Sequence, residues 1–191
     1  MFRVDYPFIQ NFLSKKRNII ITTHKTPDGD ALGSSLALLH ALKTNHNVNI
    51  IVPNDYPHYL KWMPGNDDVL IYEENEEQSD SLINQSDLIF CLDFNKLYRV
   101  DTMFNILNNN NSYKIMIDHH QDPDCFCDQI LSDSSVASTA ELIYDFLSNL
   151  DYCLDKDIAT CLYTGIVTDT GSFKYPNVTK KTHEIISALL H

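Results

Sequence analysis

The stretch Asn18-Ile19-Ile20-Ile21-Thr22-Thr23-His24-Lys25-Thr26-Pro27-Asp28-Gly29-Asp30-Ala31-Leu32-Gly33-Ser34 decides the fold. Ile19 to Thr23 is an unbroken β-branched run and reads as a buried strand. Asp30 to Lys43 reads as a helix with a wide apolar face of Leu32, Leu36, Leu38, Leu39 and Leu42. His24, Asp28 and Asp30 therefore sit on a tight strand-to-helix turn. In an open α/β sheet such a turn lies at the carboxyl edge of the strands, where ligands bind. Taken alone, the stretch also reads as a plain Pro-Asp-Gly turn with Asp30 as the helix N-cap. Two better-known loops are excluded. Asp28, Asp30 and Gly33 match positions one, three and six of an EF-hand, but Leu39 stands at the twelfth, where a bidentate acid is needed. A Walker loop needs Gly-Lys-Ser/Thr, which this stretch lacks.

Working outward, Asn47 to Val52 reads as a second strand. One helix separates it from the first, so the unit is βαβ and the pairing parallel. Pro53 to Asp68 reads as a loop in which Tyr59, Leu60, Trp62 and Met63 form a short helical turn packing inward; an aromatic-rich loop can also stack a base. Val69 to Tyr72 reads as a short strand, and the acidic run Glu73 to Glu77 as a solvated helix start. Leu88 to Leu92 is an apolar strand ending on Asp93, and Met103 to Leu107 belongs to a helix. Tyr113 to Ile117 is another apolar strand, ending on Asp118-His119-His120. Three apolar strands thus each deliver a His or Asp at their carboxyl ends, which independent loops would not be expected to do.

Asp5 to Lys16 has helical spacing, and Asp128 to Leu131 reads as an edge strand. Val136 to Leu150 follows a helical repeat with Ser134 or Ser135 as its cap. Asp155 to Thr168 is a further helix, and Gly171 stops it. Its apolar face of Ile158, Cys161, Leu162 and Gly165 turns Asp169 inward. A carboxylate there, at the negative end of a helix, needs a cation or a donor, and a hydrogen-bonded core Asp is the plainer alternative. Thr179 to Leu190 is the last helix, and the ending on His191 reads as a cut.

The chain has 191 residues and 43% apolar content, enough for one large domain with a real core. No apolar run reaches transmembrane length and no signal peptide is evident, so no membrane partner is expected. The five cysteines are odd in number and show no C-x-x-C spacing. Cys91 and Cys161 read as core residues, and Cys125-x-Cys127 is a weak metal signal set aside. A reducing cytoplasm is the expected compartment. The net charge of -12 argues against a long basic groove for nucleic acid. It is compatible with a short anionic substrate if metal ions supply the cations.

The pooled residues are His24, Asp28, Asp30, Asp93, His119 and Asp169. Carboxylates and imidazoles without a thiolate suit Mn²⁺, with Mg²⁺ or Co²⁺ as substitutes. Four clustered carboxylates would repel or take up protons, whereas two divalent ions cancel their charge. With one Asp bridging, these residues suffice for a two-metal site with ions roughly 3.5–4 Å apart, of the kind that performs phosphoryl displacement.

Four motifs in order carry a resemblance. They are Thr23 to Ser34, Leu92-Asp93-Phe94-Asn95, Asp118-His119-His120 and Thr168-Asp169-Thr170-Gly171. Together they resemble the DHH phosphoesterase superfamily, and within it most nearly the oligoribonuclease and pAp-phosphatase branch, which is similar to exopolyphosphatase-related proteins. The resemblance implies an α/β fold, a mostly parallel sheet flanked by helices on both faces. It implies that His24, Asp28 and Asp93 hold one metal and Asp30, Asp93, His119 and Asp169 the other, with Asp93 bridging. His120 would contact the scissile phosphate or act as acid, and Asp118 would orient the histidine pair. Ser34, Asn95 and Arg99 are weaker candidates for substrate contacts. Residues 1–191 would form the DHH catalytic domain, with the family's C-terminal substrate-recognition domain absent. The implied activity is Mn²⁺-dependent hydrolysis of short oligonucleotides or nucleoside 3′,5′-bisphosphates by a water activated between two metals. A pyrophosphatase or exopolyphosphatase shares the same motifs. A metal-dependent nucleotide-binding module without turnover is the third reading. A long-substrate exonuclease of the RecJ kind is disfavoured by the acidic charge and short length. A homodimer is left open.

Overall fold

Ile19 and Ile21 pack into one hydrophobic core and Ile20 into another, and all three are buried. A strand buried on both sides gains nothing from polar alternation, which is why the run is uniformly apolar. The computed structural model describes residues 4–190, so the expectation of a cut at His191 lies outside the described residues. In chain order the elements are α1 (Tyr6–Leu13), β1 (Asn18–Thr23), α2 (Gly29–Leu42), β2 (Asn47–Val52), β3 (Val69–Ile71), α3 (Glu76–Asn84) and β4 (Leu88–Leu92). There follow α4 (Phe104–Asn109), β5 (Tyr113–Asp118), β6 (Gln129–Ser132), α5 (Thr139–Asn149), α6 (Lys156–Asp169) and α7 (Lys180–Leu189).

The strands form one sheet in the order β3-β2-β1-β4-β5-β6, and every pair is parallel. The expected α/β class is the observed one. The strand order reverses between β1 and β4, so a crevice opens there at the carboxyl edge. One core lies between the sheet and α1, α2, α5, α6 and α7. The other lies beneath α3, α4 and the irregular segment before α4. Among the described residues no helix is long and apolar enough to cross a membrane.

α2 is buried along its whole length. It can be so because α6 approaches it closely. A Cβ added at Gly33 would lie 2.5 Å from the Cys161 carbonyl oxygen, and one at Gly165 would lie 2.8 Å from the Ala140 Cβ and 3.1 Å from Asp30 Oδ1. The two glycines draw the helices together and bring the end of α6 up to the start of α2.

Several expected details differ. Asp28, not Asp30, caps α2, and its Oδ1 accepts from the Asp30 and Ala31 amides, both at 3.0 Å. α5 is capped by Ser138, not by Ser134 or Ser135. Ser138 is extended and accepts from the Glu141 amide, while Ser135 is tied to Asp133 in the preceding turn. In the Pro53–Asp68 loop Leu60 and Met63 pack inward, but Tyr59 and Trp62 face solvent. The 3₁₀ turn spans only His58–Leu60, so Trp62 and Met63 lie beyond it. Leu97–Met103 is 3₁₀-like and broken at Asp101, whose φ is 48°, so the expected helix begins only at Phe104.

Candidate metal centre

Three adjacent strands, β1, β4 and β5, end side by side. They deliver His24, Asp93 and Asp118-His119-His120 to one crevice. The N-terminus of α2 adds Asp28 and Asp30, and the C-terminus of α6 adds Asp169. His24 Nε2 lies 3.3 Å from Asp93 Oδ2 and 4.0 Å from Asp28 Oδ2. His119 Nε2 lies 3.6 Å from Asp93 Oδ1, 3.5 Å from Asp169 Oδ2 and 3.9 Å from Asp30 Oδ2. Within the group His24, Asp28 and Asp93, and within the group Asp30, His119 and Asp169, one ligand atom from each residue lies within 4.8 Å of the others. All six residues pooled from the sequence are brought together.

The donor chemistry fits divalent cations. His24 Nδ1 is 2.8 Å from the Lys25 carbonyl oxygen, which can only accept, so Nδ1 carries the proton. The Nε2 lone pair then faces the Asp93 carboxylate, and only a proton or a cation between them relieves the repulsion. Burial pushes the Asp30 carboxyl up, and the charges of Asp93 and Asp169 push it further, well above the usual carboxylate range. Burial also raises Asp169, to about 6, with Asp93 and Asp28 adding to the rise against the opposing pull of His119. Burial disfavours the Asp93 carboxylate too, but His24, His119 and His120 outweigh it and hold that group low. For His24, burial opposes the imidazolium, and the hydrogen bond to Asp93 overcomes it. A pocket that draws protons onto Asp30, Asp169 and His24 is one that lacks positive charge.

Asp93 occupies the left-handed region at φ 63°, unusual for a non-glycine residue. Its amide is pinned to the Ile117 carbonyl at 3.0 Å. Asp118 is fully buried and holds His120 twice. Its Oδ1 lies 2.7 Å from His120 Nδ1, and its Oδ2 accepts from the His120 amide at 3.0 Å. That bond raises the His120 imidazole against burial, and the nearby Arg99 charge works the other way.

The three substrate-contact candidates fare differently. Ser34 is fully buried behind Asp30, its hydroxyl 3.4 Å from Asp30 Oδ1, and it has no surface to offer a substrate. It faces the interior because α2 is covered on every side. Asn95 Nδ2 donates to the Gln121 carbonyl at 2.6 Å and ties the loops after β4 and β5 together. Arg99 is half-buried with its charge reaching His120, and its carbonyl accepts from the Lys25 amide at 2.8 Å.

Sequence reasoning missed Thr139. Its amide donates to Asp30 Oδ2 at 2.6 Å, the Ala140 amide donates to Asp30 Oδ1 at 2.9 Å, and the Thr139 hydroxyl donates to Asp93 Oδ1 at 2.8 Å. The first turn of α5 thus receives a carboxylate as helix N-termini receive anions. The available signal was Ser138-x-x-Glu141, a capping-box spacing that places the helix start. Asn54 was also missed; its Oδ1 accepts from the Thr26 amide at 2.6 Å and braces the turn after β1. A separate groove of about 540 Å³, lined by residues including Trp62, Leu154, Tyr163 and Leu190, shares no residue with the cluster.

Comparison with known proteins shows the family. Residues 18–166 match the family model described as DHH family, N-terminal domain. A Streptococcus mutans protein named probable bifunctional oligoribonuclease and PAP phosphatase NrnA is 35% identical over 173 residues, which is 90% of this chain and 52% of that protein. The crystal structure of an exopolyphosphatase-related protein from Bacteroides fragilis superposes with a TM-score of 0.94 at 42% identity, covering 97% of this chain and 55% of that one. A putative family II inorganic pyrophosphatase from Methanococcus jannaschii shares the fold, with a TM-score of 0.63 at 20% identity, over 90% of this chain and 55% of its own. The chain spans about half the length of the curated relatives it matches. On its sheet, its motifs and the match over residues 18–166, the chain belongs to the DHH family.

Proposed function

We propose that the chain carries the catalytic domain of a metal-dependent phosphoesterase acting on short oligonucleotides or nucleoside 3′,5′-bisphosphates. One observation carries the reading. The two oxygens of Asp93 face different groups, Oδ2 toward His24 and Oδ1 toward His119. A carboxylate so placed is suited to sit between two cations. His24, Asp28 and Asp93 would hold one ion, and Asp30, Asp93, His119 and Asp169 the other. Oxygen and imidazole donors favour Mn²⁺, with Mg²⁺ or Co²⁺ as substitutes. When bound, such a pair lowers the pKa of water and neutralises charge on a phosphoryl group.

The chain's own residues supply the rest. Asp118 fixes the His120 ring through Nδ1, which leaves Nε2 to contact the phosphate or to give a proton to the leaving oxygen. Arg99 sets a fixed positive charge beside His120 and suits a phosphate oxygen. The overall charge of -12 disfavours a long polyanion and leaves a short substrate as the better fit. The relative named as an oligoribonuclease and PAP phosphatase supports the same substrate class.

The test is a side-by-side assay of a dinucleotide, pAp and pyrophosphate with the purified chain and Mn²⁺. Mononucleotide release from the dinucleotide, or AMP from pAp, is expected, and it should vanish in Asp93→Ala. Turnover of pyrophosphate alone would move the reading to a pyrophosphatase. Tight dinucleotide binding without product would make the chain a binding module.

A further inference from the structure

We infer that Thr139 is a positioning residue for the shared carboxylate, holding Asp93 so that Oδ1 serves the ion on the Asp30, His119 and Asp169 side. The inference rests on the two-ion reading above. Thr139 is fully buried, so no bulk water can replace its hydroxyl. The hydroxyl is not needed to cap α5, because Ser138 accepts from the Glu141 amide. Asp93 ionised can only accept, so the single hydroxyl proton points at its Oδ1.

The consequence is geometric. The terminal torsion of an aspartate is soft, with a broad distribution. Held at Oδ1 by Thr139, the Asp93 carboxylate turns Oδ2 toward His24 and keeps Oδ1 on the side of His119. Without the hydroxyl the carboxylate is free to rotate and to give both oxygens to the His24 and Asp28 side. The same residue fixes Asp30 through its amide, so the first turn of α5 orients two proposed ligands of one ion. Nothing in α5 touches His24 or Asp28 in a comparable way among the described hydrogen bonds. Loss of the hydroxyl should therefore weaken one ion and spare the other.

Calorimetric titration of Mn²⁺ into the metal-free chain tests this, with wild type, Thr139→Val, Thr139→Ala and Thr139→Ser compared. Wild type should take up two ions. Both hydroxyl-free variants should bind one ion nearly as wild type and the other about 10–100-fold more weakly, the range for a lost outer-sphere partner. Thr139→Ser should restore both affinities to within roughly threefold. The exchange-coupled Mn²⁺ pair signal in electron paramagnetic resonance should fade in step at stoichiometric metal. The Ala variant avoids burying an extra methyl and keeps the comparison available if Val disturbs folding. Two unaltered affinities in Val and Ala overturn the inference alone. So does Thr139→Ser losing as much as Val, because a retained hydroxyl would then not be what holds the carboxylate. A wild-type chain that takes up fewer than two ions overturns the inference and the two-ion reading together.

Discussion

Asp93 enters the left-handed region at φ 63°, a conformation that costs a non-glycine residue on the order of 1–3 kcal/mol. The surrounding structure holds it there through the Ile117 carbonyl and the Thr139 hydroxyl. Such strain is expected where one side chain must serve two partners. Asp93→Ala should lower kcat/KM by about 10³-fold or more, roughly 4 kcal/mol of barrier, in a steady-state assay. The role proposed for the His120 ring, on the substrate rather than on the ions, predicts that His120→Gln lowers kcat by about 10²–10⁴-fold while Mn²⁺ uptake stays near wild type. Loss of ion binding in that variant would make His120 a ligand instead. At this scale the sequence was readable wherever a side chain itself belongs to the cluster. His24, Asp28, Asp30, Asp93, His119 and Asp169 follow from strand ends and helix periodicity. Thr139 was hidden because half of its work is done by a backbone amide, which every residue has. Ser34 was misplaced because helical spacing alone does not say whether a serine beside a site faces the crevice or the core.

Close packing of α2 on α6 sets where Asp30 and Asp169 stand. Gly33→Ala would place a methyl 2.5 Å from the Cys161 carbonyl oxygen. The helices must part, at a cost of about 1–3 kcal/mol, measurable by urea denaturation. An unchanged midpoint would show that the contact is looser than described. The pairing of α5 with α7 makes a second prediction. Glu141 is fully buried, with Oε1 accepting from the Thr182 hydroxyl at 2.9 Å and Oε2 without a hydrogen-bond partner among the described residues. Burial raises its carboxyl above the usual 4.5. The folded chain then keeps a proton that the unfolded chain has lost. The stability from this group is fully present below the unfolded value and is lost as pH rises through the folded one. Glu141→Gln removes that loss, so its stability relative to wild type should rise as pH climbs above about 4.5. Parallel stability curves would contradict the assignment. Strands were legible in the sequence as apolar runs, whereas the apolar repeat alone set the start of α5 too early. Three serines precede it closely, and only Ser138 is followed three residues on by an acid, Glu141.

For the molecule as a whole, the strand order puts β1, β4 and β5 side by side, and that adjacency turns three separate motifs into one cluster. Parallel pairing was readable from the strand–helix–strand alternation. The order itself follows from how helices distribute over two faces, which short motifs do not encode. The clustered carboxylates should make stability depend on bound cations. Chelation should lower the melting temperature, since ions at a hundredfold excess over Kd contribute about 2.7 kcal/mol per site to the folded state. An identical transition with and without metal would argue that no tight site exists.

The most direct measurement is anomalous diffraction from crystals of the chain grown with Mn²⁺. Two peaks roughly 3.5–4 Å apart, one on each oxygen of Asp93, are expected. A single peak, or a pair that leaves Asp93 untouched, would contradict the account.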